Sequence, residues 1–185
     1  MRLIFLQTGR LKDGDAMKDL LRTILLIAVG LVAAIAVYPF LHEMGHTIAT
    51  LISGTEVVDI QLWPLPSTLC RVDTSNQLQV ITIGFGGVIL PFLLTAIKPP
   101  KQFLIWYLWF VIKVICILSF VISLWAIIFY HTEFGLTTDD MTRVMQFAPE
   151  HELVYLITLV SLLLISVVQA VRSRPIRRCM QYFDV

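Results

Sequence analysis

The sequence predicts an all-α polytopic membrane protein, with about four transmembrane helices and a small membrane-associated β element after the first long helix. Three observations predict this. The composition is 57% hydrophobic and only 15% charged, where soluble domains average roughly 45–50% and about 25%. Mean hydropathy is +0.82. Four apolar runs approach or exceed the roughly 20 residues needed to cross a hydrocarbon core of about 30 Å. The 185 residues suit one membrane-embedded unit spanning 1–185. A net charge of +1 leaves no bulk basic surface for nucleic acid. Cys70, Cys116 and Cys179 are too few and too scattered for a disulfide framework or a cysteine zinc module.

The elements follow in chain order. Residues 1–19 form a basic lead-in. The first run, Leu20 to Pro39, continues as helix to Ile52. It is longer than a signal-peptide core of about 7–15 residues and lacks a small-residue cleavage site, so a retained span is expected. One straight helix from 20 to 52 would measure about 50 Å and overshoot the bilayer. Pro39 lacks an N–H and crowds the Ile35 carbonyl, which predicts a kink or break. Residues 53–80 form an outer loop in which Asp59-Ile60-Gln61-Leu62 and Gln77-Leu78-Gln79-Val80 alternate like strands. Pro64, Pro66 and the cluster from Asp73 to Asn76 supply turns, giving a sheet of two or three strands. Further spans are expected at 81–97, 103–130 and 153–171. Between the last two, Thr137-Thr138-Asp139-Asp140 precedes Met141 to Phe147 and resembles a capped helix start.

Basic residues set the orientation. Arg2, Arg10, Lys12, Lys18 and Arg22 precede the first run. Lys98 and Lys101 separate the second from the third, and Arg172, Arg174, Arg177 and Arg178 follow the fourth. The other two loops carry only Arg71 and Arg143. The positive-inside rule then puts both termini in the cytoplasm and the end of the first segment on the other side. The tail, 172–185, reads as a topology signal and an anionic-lipid contact. Lys113 falls near mid-bilayer, so it faces protein or water, pairs with an acid, or snorkels. Trp106, Trp109 and Trp125 read as packing residues or interface anchors.

The chemistry concentrates in His42-Glu43-Met44-Gly45-His46. This is H-E-x-x-H. On a helix, residues four apart share a face, so the two imidazoles can hold one zinc ion. Glu43 stands beside them, placed to take a proton from zinc-bound water and pass it to a leaving amine. From this chain's own His and Glu frequencies, a chance match has odds of roughly 0.2%. Ionisable groups at membrane depth are costly and default to function. The bland alternative is a polar helix end facing headgroups. A catalytic zinc needs a third protein ligand and one open position. Asp140 is the first candidate and Asp139 the alternative, with helix capping as the competing role for Asp139. His131, Glu133, Glu150, His151 and Glu152 lie on the same side.

LHEMGH in an early membrane helix resembles the site-2 protease family of intramembrane zinc metalloproteases, and over roughly residues 25–150 the chain is similar to its short, divergent branch. A strand-rich stretch follows the metal helix, and Gly84-Phe85-Gly86-Gly87 opens the next span, as in that family. The resemblance implies one Zn2+ per chain, held by His42, His46 and a late aspartate, with Glu43 catalytic. The family's usual Leu-Asp-Gly around that aspartate is absent, and Thr138-Asp139-Asp140-Met141 stands in its place. It also implies a membrane protein substrate, cut in or near a transmembrane segment, often after an upstream protease has trimmed it. A helix hides its carbonyls, so such a substrate must unwind. An edge strand within 56–83 would capture the extended segment by β-addition. Gly84, Gly86 and Gly87 would admit its backbone, or pack helices together, which is the preferred reading.

Two rivals remain open on sequence. One is a membrane zinc protease of the prenyl-peptide-processing type, whose third ligand is a glutamate. Glu133, Glu150 or Glu152 would then serve. The other is a non-catalytic pseudoprotease that binds metal or a membrane partner. Retained Glu43 argues against it, because a structural zinc site has no use for a base.

Overall fold

The computed structural model describes residues 13–62, 66–137 and 139–183, with the side chains of 13–15 excepted. The turn expected at Pro64, any capping by Thr138, and most of the lead-in lie outside them. Four helices are long and apolar enough to cross a membrane, within Ala16–Ile52, Gln77–Ala96, Phe103–Ile128 and Pro149–Tyr182. This fits a multi-pass membrane protein. Their outward faces carry large apolar side chains that a soluble fold would bury: Leu21 is 59% exposed, Ile24 53% and Leu164 59%. Lipid is the solvent such a surface suits, and helices satisfy their own backbone groups there.

The first segment runs as α1 (Asp13–Val32), a π-helical turn (Ala33–Val37) and α2 (Tyr38–Ile52). Pro39 does not break it. The strain is absorbed just upstream, where the wide turn places the Tyr38 N–H on the Ala33 carbonyl. A π-turn adds one residue to a helical turn and rotates everything beyond it. That rotation sets which face of α2 meets the bundle.

Strands β1 (Val57–Gln61) and β2 (Ser67–Cys70) pair antiparallel, with Ile60 opposite Thr68 and a register shift between Val57 and Asp59. Arg71 closes the far end on Glu56 at 2.8 Å. The sheet lies on α2, where Thr68 Oγ1 meets Thr47 Oγ1 at 3.2 Å and Thr50 Oγ1 meets Cys70 Sγ at 2.8 Å. The strand-like reading of Gln77 to Val80 is corrected. These residues open α3 (Gln77–Ala96), because the Asn76 side chain accepts from the Gln79 N–H and starts a helix. The span therefore begins at 77 rather than 81.

Helix α4 (Phe103–Ile128) and helix α6 (Glu152–Arg172) pack along each other, while α2 packs most extensively on α3. Gly45 and Gly86 make that second contact possible. A methyl on Gly86 would stand 2.6 Å from the Gly45 carbonyl oxygen. Small residues let membrane helices touch backbone to backbone, where lipid removes the usual hydrophobic drive. Trp106, Cys116, Phe120 and Leu159 fill the interior. Trp109 is also buried, whereas Trp125 is half exposed and donates to the Phe134 carbonyl at 3.0 Å. Lys113 faces protein, fully buried, and its partner is an amide rather than an acid. It donates to Gln169 Oε1 at 2.5 Å and stands 5.6 Å from the Phe92 and Trp109 ring centroids.

Helix α5 (Asp140–Phe147) fills the expected place after α4, and a single 3-10 turn (Pro149–His151) leads into α6. The basic tail is not featureless. It folds as α7 (Pro175–Tyr182), with Pro175 at its first turn.

Candidate metal centre

His42 and His46 lie one turn apart on α2, on the face turned toward α3 and α5. Asp140 is the first residue of α5, 98 positions after His42. Its Oδ2 stands 3.1 Å from His42 Nε2 and 3.1 Å from His46 Nε2, and the two Nε2 atoms are themselves 3.1 Å apart. Three atoms in such a triangle cannot all satisfy one another by hydrogen bonds. Two N–H groups aimed at the carboxylate would confront each other at the third edge. A single cation facing all three resolves the conflict. Ligand atoms around a tetrahedral zinc lie about 3.3 Å apart, within a few tenths of the edges seen. Among the described residues, this is the one group of three metal-ligating side chains gathered in this way.

The surroundings favour a ligand role. His46 Nδ1 is 2.7 Å from the Ile83 carbonyl oxygen, so it carries the proton and donates. In the neutral ring, Nε2 then presents a lone pair to the centre. His42 Nδ1 is buried with no hydrogen-bond partner among the described residues, so the two imidazoles are held unequally. Gly87 closes one side. A methyl there would stand 2.5 Å from His46 Nε2 and 2.6 Å from His42 Cε1. Only glycine lets α3 pass this close to the imidazoles.

The adjacent aspartates divide their work. Asp139 is the N-cap of α5, extended at φ −78 and ψ 148, and its Oδ1 accepts from the Met141 N–H at 2.8 Å. Asp140, one residue inside the helix, turns its carboxylate to the histidines. Burial pushes both carboxyls up, and at Asp139 it prevails. At Asp140 the facing imidazoles of His42 and His46 outweigh burial and hold the carboxyl well below the usual carboxylate range. A carboxylate that stays ionised is the form that binds a cation.

Glu43 lines a pocket of about 490 Å³ beside the centre, with His46, Thr68, Gly84, Asp140 and Arg143 among its walls. Its carboxylate has no hydrogen-bond or ion-pair partner among the described residues, while its main-chain oxygen accepts from Thr47 Oγ1 at 3.0 Å and Thr68 Oγ1 at 3.2 Å. The Thr68 bond fastens β2 to α2. The three expected glycines separate by role. Gly84 lines the pocket, Gly86 packs against α2, and Gly87 backs the imidazoles. His131, Glu133, Glu150, His151 and Glu152 are not drawn into the group. The Ile83 carbonyl and Thr68 were missed from sequence. The first is backbone and leaves no residue signature. The second is a common threonine on a short strand.

Comparison of the chain with protein-family models, with curated proteins and with solved structures finds no match.

Proposed function

We propose that this protein is an intramembrane zinc metallopeptidase that hydrolyses a peptide bond in or near a transmembrane segment of a membrane protein. One observation carries the reading. Two histidines and an aspartate converge within 3.1 Å on each other, with the Glu43 carboxylate, unpaired among the described residues, next to them in a pocket walled by β2.

His42, His46 and Asp140 would hold the zinc, which supplies Lewis acidity toward a water molecule and a peptide carbonyl. Glu43 accepts a proton from the attacking water and returns it to the departing amine nitrogen. Among the described residues, strand β2 pairs with β1 alone. Its second edge would receive an extended substrate by β-addition. That pairing holds the segment unwound, with its carbonyls available to the site. The pattern of basic residues supports termini in the cytoplasm and a site reached from the opposite side.

The test is zinc content and cleavage in detergent-purified protein. Wild type should carry one zinc per chain, and Asp140→Ala should lose it. Glu43→Gln should keep the zinc and lose cleavage of a membrane-protein substrate. Absence of zinc after metal repletion would sink the reading. Full activity in Glu43→Gln would favour the non-catalytic escort instead.

A further inference from the structure

The arginine end of the molecule contains a second concave site. Four arginines, Arg172, Arg174, Arg177 and Arg178, border an open pocket of about 240 Å³ together with Pro99, Ser173 and Gln181. It forms where the end of α6, the start of α7 and the connection between α3 and α4 meet.

The pocket is built rather than incidental. Arg174 adopts a left-handed backbone at φ 53, a conformation uncommon for non-glycine residues. The chain thereby turns back, and α7 docks at the foot of α4. Tyr182 stacks on Phe103 with centroids 4.0 Å apart and planes 7° apart. The Arg22 guanidinium lies 5.4 Å from the Tyr182 ring centroid. Arg178 sits over Trp106 at 5.1 Å and donates to the Pro100 carbonyl at 2.9 Å. Arg178 is thus spent on holding α7 in place.

Arg172, Arg174 and Arg177 are not spent. All three are exposed, and among the described residues no carboxylate pairs with them. Three guanidiniums around one concavity repel each other unless an anion sits among them. Guanidinium forks match the oxygens of a phosphate ester in pairs. The pocket also lies at the end of a helix long and apolar enough to cross a membrane, where lipid headgroups would meet it.

We infer that Arg172, Arg174 and Arg177 form a discrete phosphate-binding site, filled by the phosphate of an anionic lipid headgroup or by free phosphate. This goes beyond diffuse attraction of a basic tail to a charged membrane. It predicts one bound phosphate group per chain and dependence on particular arginines. It stands apart from the zinc centre.

The experiment is native mass spectrometry of the full chain in neutral detergent, titrated with phosphatidylglycerol, phosphatidylcholine or inorganic phosphate. One phosphatidylglycerol should be retained per chain, at least tenfold more tightly than phosphatidylcholine. Arg172→Gln with Arg177→Gln should reduce that retention at least tenfold, with thermal melting confirming a folded chain. Lys98→Gln with Lys101→Gln, at the same end but outside the pocket lining, should change it less than twofold. Displacement of the lipid by millimolar inorganic phosphate would support the site and assign it to phosphate itself. No displacement would assign it to the lipid. Equal losses from the lysine and arginine pairs would show diffuse charge and overturn the proposal. So would equal retention of the two lipids with no binding of phosphate.

Discussion

At one end of the bundle, two imidazoles and a carboxylate stand within 3.1 Å of one another. At the other, three arginines border a pocket with no carboxylate against them among the described residues. Both regions gather ionisable groups within a membrane fold, and each accommodates them differently. The histidine–aspartate end brings donors of mixed charge from elements 98 residues apart and holds them with backbone hydrogen bonds and glycine contacts. That geometry could hold a metal ion. The arginine end draws like charges from one short stretch of chain and leaves them facing outward. It is specific to charge and to forked acceptors, and less so to distance. Substitutions should therefore act steeply at the first end and in graded fashion at the second.

The largest effect is expected at Asp140. Asp140→Ala removes one of the three side chains proposed to hold zinc and should abolish stoichiometric zinc. Cleavage should fall by more than the roughly 10–100-fold typical of losing an outer partner of a metal ligand. Metal analysis and a cleavage assay on the same preparation check this together. Retained zinc with normal cleavage would break the contrast between the two ends.

Lys113 provides an intermediate case, a buried cation answered by an uncharged partner. Gln169→Leu would leave the ammonium fully buried without its acceptor. The expected cost is about 1.5–3 kcal/mol, the range for hydrogen bonds to charged groups. Lys113→Met removes the charge itself and should cost less, because apolar packing often replaces a buried ion without loss. Thermal melts of the two variants in the same detergent give the ranking. The reverse order would mean that the cation, rather than its partner, stabilises the contact between α4 and α6.

Gly86→Ala probes the support behind the metal site. Its methyl would meet the Gly45 carbonyl oxygen, which is backbone and yields little. Overpacking of this kind costs about 1–3 kcal/mol. Melting should occur several degrees lower, with zinc bound less tightly, because α2 must move away from α3. An unchanged melt and unchanged zinc affinity would show that the helices separate at no cost to the centre.

Much of this architecture was legible in the residues. Lipid imposes long apolar runs, so the four spans stood out by length. Four-residue spacing on a helix placed His42 and His46 together without reference to the rest of the fold. Other features depended on information that pattern does not hold. Gln77 to Val80 alternates, but four residues do not separate a strand from the opening turn of a helix, and the Asn76 cap decides it. Pro39 announced a disturbance, and packing chose a π-turn rather than a break. The Ile83 carbonyl behind His46 is invisible because every residue has one. Arg172 to Arg178 read as a charged tail, since the left-handed turn at Arg174 and the stack of Tyr182 on Phe103 arise only in three dimensions.

The choice between Asp139 and Asp140 is where sequence reasoning stopped, and it leads to the smallest predicted effect. The residues differ by one position, so nothing local separates a cap from a ligand. The fold does so through backbone conformation. Asp139 is extended and caps Met141, whereas Asp140 is helical and points across to α2. Asp139→Ala should therefore cost about 1 kcal/mol, the usual loss of an N-cap, and leave one zinc per chain. Asp139→Asn keeps a side-chain acceptor at the cap and should recover most of that stability. Zinc that survives Asp140→Ala and vanishes with both Asp139 variants would exchange the two roles. The cap would then be the ligand, and the helical carboxylate its neighbour.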